Sequence, residues 1–144
     1  MKRNLAILCL LFAAMGAAFA VPTVQADVPT LPKILNNARF VYVTSYDGGE
    51  WNPDILPEDR QAIATVQEAM QKWGKFIVVD QPAEADIVLM VMSRRSEDVL
   101  AVYQKQGWPG NDYLWRVMRS KGLQENEAPL VTEFEQAFEN ASKQ

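Results

Sequence analysis

The chain has 144 residues, with 14 Lys and Arg against 18 Asp and Glu, a single cysteine and no histidine. Without histidine, Ser-His-Asp and Cys-His nucleophile systems are excluded, as are zinc sites built from His or Cys; carboxylate, lysine or tyrosine chemistry remains. The acidic balance repels phosphate backbones and argues against nucleic acid as a partner.

Lys2 and Arg3 open the chain with positive charge, residues 5–20 run apolar without a charge, and small residues follow. That order is the order of an export signal. Small-x-small cleavage motifs stand at Ala18-Phe19-Ala20 and Val24-Gln25-Ala26, and the second, behind Pro22, is preferred, which sets a signal peptide over 1–26. The apolar run is short against the ~20 residues needed to cross a bilayer, so no membrane span is expected after signal removal. Cys9 lies inside this run behind Leu8, where a lipid-attachment motif needs a small residue; removal of the signal leaves a chain without thiols. Loss of Lys2 and Arg3 takes the basic residues from 14 to 12 against 18 acidic, a net charge near −6. The remaining length suits one domain with a core that needs no disulfide. The expected organisation is signal peptide 1–26, extended leader 27–38 and a single domain over 39–144, located in the periplasm or outside the cell.

Residues 39–45, with Phe40, Val41, Tyr42 and Val43, read as the first strand. Residues 46–56 carry Gly48, Gly49, Asn52 and Pro53 and read as a loop. A helix follows: Pro57 suits its first position, Glu58 and Asp59 its positive end, and Lys72 and Gly74 its stop. Ile63, Val66, Met70 and Trp73 recur at helical spacing, which places Trp73 in the core rather than at a ligand. Residues 76–80 read as a second strand, 81–86 as a turn around Pro82, and 87–92 as a third strand with apolar residues of both parities, buried at the sheet centre. The Arg94-Arg95 pair reads as a solvated turn. Residues 99–104 read as a fourth strand and 107–112 as a dense turn. Residues 113–120 read either as a fifth strand, with Tyr113, Trp115 and Val117 on one face, or as a short helix capped by Asp112 and ended by Gly122; the strand is favoured. A last helix starts at Pro129 with Leu130, Phe134, Ala137 and Phe138 on one face.

The predicted fold is α/β, an α+β sandwich of order β-α-β-β-β-β-α, with a mostly antiparallel sheet of four or five strands and two helices on one face. Residues 87–92 put Ile87, Leu89 and Val91 on one side and Val88, Met90 and Met92 on the other. Whichever face the helices leave uncovered would therefore be exposed and apolar, and is expected to pack on a partner, a second copy of the chain or the leader.

The stretch from Val66 through Trp73-Gly74-Lys75-Phe76-Ile77-Val78-Val79, followed by Ala85-Asp86-Ile87-Val88-Leu89, resembles small exported bacterial proteins of uncharacterised function that share a helix, a WG-(K/R)-(F/W)-x-VV run and an ADLVL run. More distantly it is similar to the N-terminal domain of the Tol-Pal component TolB and to envelope lipoproteins of unknown function. The resemblance implies an α/β sandwich and brings no catalytic residue, because the shared positions are apolar, turn or capping residues.

The loop 46–56 and the turn 107–112 lie outside that resemblance, and they are where a specific ligand, if the chain takes one, is expected. Asp47, Glu50 and Asp54 gather in the loop, but their spacing is not that of an EF-hand, and a domain this small offers little room for a glycosidase cleft. No metal or cofactor is implied. Trp51 and Trp108 sit in loops rather than on a periodic apolar face, so they are candidate anchors for a partner or lids on the core edge. The expected function is non-catalytic protein interaction in the envelope or periplasm, by a protein partner or by self-association. The alternative is a small-ligand or glycan module using Trp51, Trp108, Asp47 and Glu50.

Overall fold

In the computed structural model, which describes residues 29–110, 112–123 and 128–143, the apolar runs form five strands and the two amphipathic segments form helices. In chain order these are β1 (Phe40–Ser45), α1 (Pro57–Trp73), β2 (Ile77–Val79), β3 (Ile87–Ser93), β4 (Asp98–Gln104), β5 (Trp115–Arg119) and α2 (Pro129–Ser142). Three 3-10 helices, Lys33–Asn37, Pro82–Glu84 and Lys105–Gly107, are added to the expected order. The signal peptide expected over 1–26, with Cys9, lies outside the described residues. Helix α1 begins at Pro57 and stops where Gly74 turns left-handed (φ 73°), its N–H donating to the Met70 carbonyl. The ambiguous segment after residue 112 is a strand.

The sheet order is β2-β1-β3-β4-β5. It is mixed rather than mostly antiparallel, because β1 lies parallel to both β2 and β3, while β3, β4 and β5 form an antiparallel meander. Residues 80–86 between β2 and β3 have the length of a hairpin turn, yet they carry the chain past the start of β1. This works because β2 has only three residues, so the chain retreats only about 10 Å before β3 begins in the same direction. Asp86 pins the crossing: its carboxylate accepts from the backbone N–H groups of Arg39 (2.8 Å) and Phe40 (3.0 Å). Its own N–H donates to the Phe40 carbonyl at 2.9 Å.

Both helices cover one sheet face. Ile87, Leu89 and Val91 of β3 meet Ile63, Val66 and Met70 of α1, and Trp115 and Val117 of β5 meet Phe134 and Phe138 of α2. Trp73 is half-buried and packs edge-on against Phe76, Phe134 and Phe138 at centroid distances of 5.5, 5.9 and 5.6 Å, which joins the helices. The described part of the leader belongs to this same core: Leu31 and Leu35 are buried in it, and Trp115 Nε1 donates to the Pro29 carbonyl at 2.6 Å. It therefore does not cover the helix-free face. At the centre of that face, Val88, Met90, Ala101 and Tyr103 are buried beneath Tyr42 and Trp108. The expected open apolar face is reduced to a rim that includes Phe40, Ile77 and Met118.

A polar network closes the end of the sheet where β1 and β3 finish. Asp59, expected only to serve the helix end, is fully buried: Oδ1 accepts from the Ser93 N–H (2.7 Å) and from Arg94 Nη1 (2.8 Å). Arg94 is correspondingly not solvated like its exposed neighbour Arg95; its Nη2 also reaches Asp47 Oδ2 at 3.2 Å. On the other side, the Ser93 hydroxyl donates to buried Asp98 (2.8 Å), whose second oxygen accepts from the Leu123 N–H (2.9 Å).

Removing a buried acceptor leaves its donors without a partner. Asp59→Ala is expected to destabilise the fold by about 3 kcal/mol, read as a lower urea midpoint. The two main-chain donors from Arg39 and Phe40 hold the Asp86 carboxyl below its usual range, with burial opposing and Lys105 assisting. Its contribution is complete above the ordinary carboxylate pKa and fades as pH falls through the lowered value. Asp86→Asn is therefore expected to lower the midpoint at neutral pH and to flatten its decline below about pH 4.

Candidate functional site

Residues 46–56 leave β1 and return to α1, and their backbone is braced on both sides of Trp51. At the start, the Ser45 hydroxyl donates to the Gly48 carbonyl at 2.8 Å, and the Tyr46 N–H extends the β1–β3 ladder to Val91. In the middle, Asn52 braces the loop by donating from Nδ2 to the Asp47 carbonyl (2.9 Å) and accepting at Oδ1 from the Asp54 N–H (3.1 Å). From α1, the Arg60 guanidinium donates to the carbonyls of Glu50 and Asn52. Ile55 is buried in the core at the far end. Gly49 lies so close to Tyr42 that an added Cβ would stand 2.5 Å from the tyrosine hydroxyl. No larger residue fits there without moving that ring.

The second wall is the turn after β4. Trp108 precedes Pro109 through a cis peptide bond and packs edge-on against Tyr42 at 6.1 Å between centroids. Between loop and turn lies a groove of about 390 Å³ lined by Ser45, Tyr46, Gly48, Met90, Tyr103, Trp108, Pro109 and Gly110. None of these residues is charged. Burial pushes the Tyr103 phenol above its usual range, against a smaller opposing pull from Arg116, so it stays a neutral donor.

The expected site residues separate in this geometry. Trp108 lines the groove, whereas Trp51, Asp47 and Glu50 stand on the outer loop and do not. Trp51 is 82% exposed and Tyr46 69% exposed. Asp47 is held by Arg94. Among the described residues, no three acidic side chains come together as a metal site would need. Tyr46 and Tyr103 were not singled out by sequence reading. Tyr103 shares its strand parity with Ala101 and so belongs to the helix-free face, a signal readable only once the sheet face it points to is known.

The two loop tryptophans are therefore expected to behave oppositely on truncation. Trp108→Ala uncovers the cluster around Val88 and is expected to cost about 2–3 kcal/mol. Trp51→Ala is expected to change stability by less than about 0.5 kcal/mol. Urea unfolding of both variants checks the contrast. No protein-family model, curated protein or solved structure matches the chain.

Proposed function

We propose that the chain is an exported periplasmic or secreted envelope protein that acts by binding a protein partner, another protein or a second copy of itself, rather than by catalysis. The observation that carries this reading is the indole of Trp51, displayed in solvent on a loop whose backbone is fixed on both sides. An exposed tryptophan held without loop entropy to lose is the usual make-up of an interface anchor. Export is supported by the basic, apolar and small-residue succession at the start of the chain. The resemblance to small exported bacterial proteins supports the same compartment. Among the described residues, no helix is long and apolar enough to cross a membrane.

A non-catalytic role is supported by a chain without histidine and by a groove whose described lining, apart from the weakly acidic phenols of Tyr46 and Tyr103, holds no ionisable side chain. The Ser45 hydroxyl is engaged with the Gly48 carbonyl. A second reading, a binder of uncharged small ligands or glycans, is favoured by the aromatic lining from Tyr46, Tyr103 and Trp108.

Purification of the tagged full chain from native envelope fractions distinguishes the two. A stoichiometric partner whose affinity falls at least about tenfold with Trp51→Ala is expected. Absence of a partner, together with saturable glycan binding that quenches Trp108 fluorescence, would establish the second reading instead.

A further inference from the structure

We infer that the binding surface is the loop 46–56 itself and that its partner is a protein presenting an apolar pocket for Trp51 rimmed by lysine or arginine. This rests on the reading of the chain as a protein-binding molecule. Three large apolar side chains of this one loop, Tyr46, Trp51 and Leu56, are exposed. The acidic residues around them are exposed as well: Asp47 and Asp54 within the loop, and Glu58 just beyond, with Glu50 half-buried. The two cations bound at this loop offset its charge only in part, two against the five carboxylates of Asp47, Glu50, Asp54, Glu58 and Asp59. Arg94 is bound to Asp59 and Asp47, and Arg60 is turned onto the Glu50 and Asn52 carbonyls.

The surface therefore presents an aromatic anchor within negative charge. A partner pocket must be apolar to take the indole and must bring positive charge to its rim, since carboxylates opposite carboxylates repel and aqueous solvation is lost at contact. The same charge disfavours an anionic lipid surface, where a lone exposed tryptophan would otherwise suit the headgroup zone. The loop's bracing by Asn52, Arg60 and Arg94 means that little ordering accompanies docking. The tryptophan arrives already placed.

The test uses the full chain in its native cells with a photoreactive phenylalanine at position 51, and separately at the exposed positions Ile77 and Tyr113. Position 51 is expected to form an adduct with one protein, at a peptide that contains Lys or Arg. The purified complex is expected to weaken at least about tenfold in the Glu50→Lys, Asp54→Lys double variant and again when salt rises from about 0.05 to about 0.5 M. Unchanged urea midpoints show that the variants remain folded. Protein adducts from positions 77 or 113 but not 51 would overturn this surface and leave the protein-binding reading standing. No protein adduct from any position overturns both. An adduct at 51 that is indifferent to charge reversal and salt overturns the basic rim, and a lipid adduct at 51 overturns the protein partner in favour of a membrane.

Discussion

The carboxylate of Asp59 is the interaction on which the working end of this molecule depends. It is fully buried at the first turn of α1, and it joins the end of β3 through the Ser93 N–H and the guanidinium of Arg94. Arg94 in turn holds Asp47 at the root of the loop. A buried charge with well-placed donors contributes less to net stability than its contacts suggest, because its desolvation offsets much of the attraction. What it does secure is register. The helix start, the strand end and the loop root are fixed relative to one another by one group.

That fixing matters because the two faces of the sheet are finished differently. The helix face is closed by α1, α2 and the leader in one continuous apolar core. Among the described residues, the helix-free face has no layer of its own and is roofed at its centre by Tyr42 and Trp108. A roof made of two aromatic side chains covers the middle of a five-stranded sheet but not its margins. The groove between loop and turn is the gap left beside that roof, and its uncharged lining follows from its being the outer part of a core.

Much of this was legible in the residues. Pro57 and Gly74 bracket α1 correctly, and the mixed parity of residues 87–92 marks the central strand, because both signals are local. Strand direction was not legible: residues 80–86 look like a hairpin, and only the shortness of β2 lets so brief a link join parallel strands. Asp59 and Arg94 are 35 residues apart, so the one was assigned to a helix end and the other to a turn, each by its own neighbours. Trp51 and Trp108 both lie among turn formers. What separates them is the presence of Val88 and Met90 beneath one and solvent above the other, a fact of tertiary packing that no spacing encodes.

The two ends of the domain meet in space. The Ser142 hydroxyl lies 3.4 Å from Asn36 Oδ1, and Leu35 shares a core with Phe134 and Phe138. A chain made N-terminus first presents Leu31 and Leu35 long before the aromatic residues that cover them exist. Loop-closure entropy then sets the order of events, since contacts this distant in sequence form late. The native core is completed only when α2 has been released. Until then Leu31 and Leu35 lack the aromatic cover of Phe134 and Phe138, a consequence of where the last helix packs.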